Sequence, residues 1–132
     1  MSTASPSPTP PSPHILLVDD NEQNLELLVA YLEELGGTLT TARDGLDALR
    51  LIESAKPDLM LLDVMMPRMS GFQLCKRLKG QAATKGIPII MVTALNEVAD
   101  QERAADCGAD DFLSKPVNKP DLLARVRRLL QV

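Results

Sequence analysis

The chain contains no tryptophan, one tyrosine and two phenylalanines among 132 residues. So few rings leave no stacking platform for single-stranded nucleic acid. Excess positive charge is also missing. The formal net charge of −4 argues against a broad nucleic-acid footprint, which needs a basic balance. No apolar run approaches the roughly 20 residues that span a bilayer. No Lys or Arg precedes Arg43, so the basic start of a secretory signal and the arginines of a transit peptide are absent. A cytoplasmic protein without membrane insertion is expected. The two cysteines, Cys75 and Cys107, lack metal-type spacing and read as small buried thiols. A GxGxxG dinucleotide loop is absent as well.

What remains is enough for one domain. Hydrophobic residues make up 45% and charged residues 24%, a globular balance that needs no disulfide or structural metal at this length. Residues 1–13, MSTASPSPTPPSP, hold five of the ten prolines. Such a stretch builds neither helix nor central strand and reads as a disordered Pro/Ser-rich leader. It lacks the flanking basic or aromatic residues that would mark a polyproline docking motif.

From His14 to Val132, short apolar runs alternate with helical patterns. Strands are predicted at His14–Val18 (HILLV), Thr38–Ala42 (TLTTA), Asp58–Asp63 (DLMLLD), Ile87–Thr93 (IPIIMVT) and Asp111–Ser114 (DFLS). Asn21 caps a first helix with a core stripe of Leu25, Leu28, Val29, Leu32 and Leu35, ended by Gly36-Gly37. Asp44 opens a second helix through Leu46, Leu49 and Ile52, stopped by Pro57. Ser70 or Gly71 starts a third, with Phe72, Cys75 and Leu78 on one face. A fourth runs from Glu97 to Cys107, closed by Gly108. A fifth, from about Lys119 to Leu130, buries Leu122, Val126, Leu129 and Leu130. Apolar strands alternating with helices imply a doubly wound α/β domain with a parallel sheet. The pattern itself does not give the strand order.

In open α/β sheets, ligands bind beyond the carboxyl ends of the strands. Asp19 and Asp20 follow the first strand, Asp63 ends the third, Thr93 ends the fourth and Lys115 follows the fifth. Each alone is ordinary: an acidic pair is often a solvated cap, and a lone lysine is usually on the surface. Together they place three carboxylates, a hydroxyl and an ammonium at one edge. Carboxylates so crowded repel unless a cation sits among them. A hard divalent ion suits oxygen ligands, and Mg²⁺ commonly takes one or two carboxylates plus phosphate oxygens. Such a set suits phosphoryl transfer to one carboxylate, with the lysine and hydroxyl on the transferred oxygens.

The stretches LLVDDNEQN, LLDVMMPRMSGFQLCKRLK, PIIMVTA and GADDFLSKP resemble the signatures of bacterial response-regulator receiver domains. The similarity covers about His14 to Val132. It implies a flavodoxin-like (βα)5 fold with a five-stranded parallel sheet in the order 2-1-3-4-5. It implies that Asp63 is the phosphoacceptor, and that Asp19, Asp20, Asp63 and the backbone carbonyl of Met65 hold Mg²⁺ or Mn²⁺. Thr93 and Lys115 would contact the phosphoryl group, Thr93 and Phe112 would be the switch pair, and Pro116 would follow a cis bond.

The same resemblance implies a sensor histidine kinase or phosphotransfer protein as donor, and a downstream protein or fused output domain as receiver of the signal. It implies a signalling domain that catalyses its own phosphorylation and dephosphorylation rather than an enzyme. The face of the fourth helix, fifth strand and fifth helix would change, and it allows a phosphorylation-dependent dimer. His14 is the lone histidine and has no expected part in the transfer. Leu27 and Tyr31, one turn apart outside the core stripe, would belong to a docking groove for the donor. Arg125, Arg127 and Arg128 suit the helix dipole. Met65 and Leu95, bulky and apolar, would flank the path of attacking water and slow dephosphorylation.

Three rivals use similar parts. An aspartate-nucleophile phosphatase usually carries a second acid two residues past the nucleophile, where this chain has Met65. A flavodoxin-like cofactor binder would want a Ser/Thr/Gly phosphate loop after the first strand, where Asp19-Asp20 stand. A pseudo-receiver would lack one or more of the acids. A stand-alone regulator and a piece of a longer protein both remain open.

Overall fold

Two of the apolar runs are buried at every residue, and that burial dictates the layering. The computed structural model describes residues 12–94, 102 and 105–131. In chain order its elements are β1 (His14–Val18), α1 (Glu22–Leu32), a 3₁₀ turn (Glu33–Leu35), β2 (Thr38–Ala42), α2 (Gly45–Ser54), β3 (Leu59–Asp63), α3 (Gly71–Lys79), β4 (Ile89–Thr93), β5 (Asp111–Ser114) and α4 (Lys119–Leu130). Helix α4 is the fifth helix of the sequence pattern. Most of the expected fourth, Glu97 to Cys107, lies outside the described residues. All strand pairs are parallel, in the order β2-β1-β3-β4-β5. This is the expected flavodoxin-like doubly wound sheet.

Alternation along the strands divides the core into two layers. Leu16, Val18, Met60, Leu62, Ile89 and Met91 face α2 and α3. Ile15, Leu17, Leu59, Leu61, Ile90 and Val92 face α1 and α4. Fully burying each such side chain contributes about 1.5–3 kcal/mol, so a one-residue slip of register would be heavily disfavoured. The edge strand β2 is only partly covered, as its threonines suggest.

Side-chain caps fix the helix starts. Asn21 Oδ1 accepts from the Asn24 N–H, Asp44 Oδ1 from Asp47, and Asn118 Oδ1 from Asp121. Ser70 and Gln73 form a reciprocal capping box at the start of α3. Several expectations need correction at the level of single residues. Leu46 is exposed, because α2 buries Gly45, Ala48 and Ile52 instead. On α4, Leu123 is buried while Leu129 is only partly so. Strand β4 begins at Ile89, since the Ile87 N–H turns back to Thr84 and Pro88 has no N–H to give. Pro13 is buried, and its carbonyl accepts from the Thr38 N–H at 2.9 Å.

Gly71 is the position where the backbone leaves no room. Its N–H donates to the Val64 carbonyl at 2.9 Å. A Cβ there would overlap the carbonyl oxygen of Asp63 and come within 2.9 Å of Val64 Cα. Neither obstacle can swing aside. Gly71→Ala is therefore expected to lose about 2 kcal/mol or more in urea denaturation. Gly86→Ala, whose Cβ meets nothing within 4 Å, should change stability by less than about 0.5 kcal/mol. Equal effects would show that the approach to Asp63 is not what limits position 71.

Candidate functional site

The strand register carries the acidic residues to one edge. Val18 pairs with Leu62, so Asp19 and Asp63 each lie one step beyond that pair. Asp63 pairs with Val92, and Thr93 with Ser114. Lys115 comes next, and its N–H donates to the Thr93 carbonyl at 2.8 Å. The Lys115–Pro116 peptide bond is cis.

Asp19 and Asp63 are 2% and 4% exposed, while Asp20 sits in solvent at the rim. One carboxylate oxygen from each of Asp19, Asp20 and Asp63 lies within 4.8 Å of the other two. Lys115 Nζ reaches Asp63 Oδ1 at 3.1 Å and Asp19 Oδ2 at 3.4 Å. The other Asp19 oxygen, Oδ1, accepts from the Asn21 N–H at 2.9 Å. Three carboxylates facing one ammonium leave two negative charges uncompensated. A divalent cation with oxygen preference matches that deficit, so the donor set fits a metal such as Mg²⁺.

Burial pushes the Asp63 carboxyl up to about 6, and the neighbouring Asp19 charge adds to the effect. The hydrogen bond and charge of Lys115 oppose it without cancelling it. For Lys115, burial disfavours the ammonium, but contacts with Asp63 and Asp19 outweigh burial and raise its pKa. The two shifts share one cause, a buried ion pair with an excess of acid.

The remaining expected residues fall around this centre. Thr93 is fully buried at the end of β4. Phe112 is half-buried on β5 and packs against the layer under α2 and α3. The side chain of Met65 is exposed on the loop after β3. That loop is tightened by a Met69 N–H to Pro67 carbonyl bond of 2.7 Å and holds Arg68 in the left-handed region at φ 68°. Leu95 lies outside the described residues. His14 is remote in role: its backbone N–H donates to Asp58, and its Nε2 meets Thr40 Oγ1 at 2.9 Å.

Sequence reasoning missed a clamp beside the switch position. Asp111, at the start of β5, takes Arg125 Nη1 on one oxygen at 2.5 Å and Arg128 Nη2 on the other at 2.8 Å. Arg125 also donates to the Phe112 carbonyl at 3.3 Å. The helix-dipole reading of these arginines overlooked them as cross-links. The only sequence hint was an acid opening a strand and two arginines three apart on the next helix. Arg127 instead meets Glu34 at 3.5 Å. Leu27 and Tyr31 line a groove of about 430 Å³ with Leu28, Pro116, Val117 and Lys115, and Leu27 is 45% exposed. Among the described residues, no helix is long and apolar enough to cross a membrane.

Comparison with known proteins agrees with this geometry. Residues 15–127 match the family model of the response regulator receiver domain. A DNA-binding dual master transcriptional regulator, RpaA of Synechocystis, is 40% identical over 119 residues, covering 90% of this chain and 49% of that protein. The response regulator PleD of Caulobacter vibrioides is 45% identical over 118 residues, covering 89% of this chain and 26% of that one. The chain thus spans half or less of the length of these relatives. Among solved structures, the signal receiver domain of a histidine kinase from Syntrophus aciditrophicus superposes with a TM-score of 0.85 at 41% identity, covering 91% of each chain. A response regulator from Chloroflexus aurantiacus gives 0.87 at 33% identity, covering 92% of this chain and 99% of that one.

The raised Asp63 pKa sets a stability window. An acid whose folded pKa lies above its unfolded value of about 4 penalises the folded state once it ionises. In chelator-treated protein that penalty is absent below about pH 4, grows as pH rises towards 6, and is fully present above. Asp63→Asn should therefore raise the melting temperature more at pH 7.5 than at pH 4. Millimolar Mg²⁺ should raise it for the parent protein at pH 7.5 and much less for Asp63→Asn. A pH-independent effect of the substitution would contradict this account of the site.

Proposed function

The chain belongs to the response regulator receiver family, and from that membership and the site geometry we propose that Asp63 accepts a phosphoryl group from a phosphohistidine. The donor is a sensor histidine kinase or a phosphotransfer protein. The observation that carries this reading is the convergence of Asp19, Asp20 and Asp63 within 4.8 Å, with Lys115 bridging two of them. We assign residues 14–132 to the receiver and 1–13 to a leader whose last residue, Pro13, is anchored at the start of β2, and we place the chain's action in the cytoplasm.

A carboxylate oxygen of Asp63 attacks phosphorus, the P–N bond breaks, and its electron pair leaves with the imidazole, which takes up a proton. Lys115 turns its ammonium from the Asp63 carboxylate to the incoming phosphoryl oxygens. Asp19, Asp20, Asp63 and the Met65 carbonyl would hold Mg²⁺ or Mn²⁺, which would neutralise charge on the phosphoryl oxygens. The same machinery serves dephosphorylation, so the chain acts on itself rather than as an enzyme turning over a substrate. The groove by Leu27 and Tyr31 opens beside Lys115. A donor helix lying in it would bring its histidine to Asp63.

The output follows from charge. Phosphorylation adds strong acceptor oxygens at the edge of the sheet. Thr93 moves towards them and vacates space, and Phe112 turns inward. That turn reshapes the face built from β5, α4 and the expected fourth helix, Glu97 to Cys107, most of which lies outside the described residues. The signal passes from this face to a downstream protein, to a fused output domain or to a second copy. Direct nucleic-acid binding by this chain is not part of the proposal, given its net charge of −4. An aspartate-nucleophile phosphatase would want an acid or base two residues past Asp63, and Met65 offers neither.

Incubation with phosphoramidate and Mg²⁺ should add one alkali-labile phosphoryl group to Asp63. Mass spectrometry should find none in Asp63→Asn, and Asp20→Asn and Lys115→Ala should slow the reaction by at least about tenfold. Label on another residue, or label indifferent to chelation, would sink the assignment. Thr93→Ala should still be labelled, but hydrogen exchange at β5 and α4 should no longer respond to labelling. A response as large as the parent's would refute the proposed coupling.

A further inference from the structure

The two cysteines take no part in phosphoryl transfer, yet the fold sets them side by side from positions 32 residues apart. Cys75 lies on α3 and is fully buried, and Cys107 is 5% exposed near the start of the turn into β5. The Cys75 Sγ–H donates to the Cys107 carbonyl at 3.4 Å, and the two thiols also share a side-chain hydrogen bond. Neither is in a disulfide. A surface cavity of about 240 Å³, lined by Phe72, Gln73, Lys76, Asp106 and Cys107, leads to the outer one. The arrangement therefore has one cysteine on the wall of a surface cavity and a second, fully buried, behind it.

We propose that Cys75 and Cys107 form a modification site at which hydrogen peroxide drives formation of an intramolecular disulfide. The Cys107 thiolate attacks one peroxide oxygen, the O–O bond breaks, and hydroxide leaves to be protonated to water. The sulfenic acid so formed is attacked by the Cys75 sulfur, which loses its proton. The S–O bond breaks and a second water leaves. Two thiols lose two electrons, and the peroxide gains them. The inference does not depend on Asp63 chemistry.

The electrostatics assign the roles. The hydrogen bond from Cys75 holds the Cys107 thiol below the usual range, against the effects of burial and of Asp106, with help from the backbone at Ala109. The same bond, with burial and Asp110, pushes Cys75 well above that range, although Lys79 opposes this. Thus Cys107 is the attacking sulfur and Cys75 the resolving one.

The reduced full-length chain, treated with hydrogen peroxide at neutral pH in chelator and then alkylated in denaturant, should yield a Cys75–Cys107 linked peptide that dithiothreitol abolishes. Cys75→Ala should accumulate a sulfenic acid on Cys107 that a cyclic dione traps. In the untreated parent, iodoacetamide should label Cys107 at least about tenfold faster than Cys75. That last measurement needs no variant to fold. Complete alkylation of both thiols after peroxide would overturn the proposal, as would linkage only between chains, or equal labelling rates.

Discussion

The contact on which the site depends is the one between Lys115 and the buried pair Asp63 and Asp19. It ties together three places in the chain, the ends of β1, β3 and β5, through distances of 3.1 and 3.4 Å. A parallel sheet brings strand ends together whatever their charge, because its apolar faces set the register. Here that register drives like charges into a partly desolvated corner. The lysine relieves some of the strain and leaves the rest. The excess appears as a carboxyl raised to about 6, and as a donor set that fits a doubly charged ion. Both are consequences of the same mismatch between packing and electrostatics.

A conformational response grows from the same frame. Thr93 and Lys115 are linked through the backbone, since the Lys115 N–H donates to the Thr93 carbonyl. Phe112 sits three residues before that lysine on a strand whose first residue is clamped by Arg125 and Arg128. A change at the acidic corner can therefore reach α4 through one short strand. The clamp at Asp111 and the lysine at position 115 hold its two ends, and between them the half-buried Phe112 borders a surface cavity of about 380 Å³.

Legibility from sequence followed locality. Strand alternation, three of the four helix starts and the acidic edge were readable because each depends on neighbours in the chain or on a fixed period; the Asn118 cap, equally local, went unread. Asn21, Asp44, Ser70 and Asn118 cap their helices for reasons contained within four residues. The strand order was not readable from periodicity and came only through resemblance, because pairing between β1 and β3 is a property of the assembled sheet. The Asp111 clamp and the closeness of Gly71 to the Asp63 carbonyl were invisible for the same reason. Leu46 misled because its spacing fits the apolar stripe, whereas α2 packs through its small residues, Gly45 and Ala48.

The acidic pair itself is not symmetrical, and that asymmetry divides the work. Asp19 has one oxygen committed to the Asn21 N–H and the other to Lys115. It is buried, so any move away from those donors would expose an uncompensated charge to a poor solvent. Asp20 is exposed and can turn towards an ion while keeping its water. Mg²⁺ dehydrates reluctantly and retains several waters when bound. An ion of that kind is better met first by the mobile, hydrated carboxylate than by the fixed one. In the proposed metal site Asp19 would chiefly orient Lys115 and set the negative potential, while Asp20 would govern capture of the cation. The neighbours differ in duty because the chain turns from strand to helix between them, leaving one inside the fold and the other at its rim.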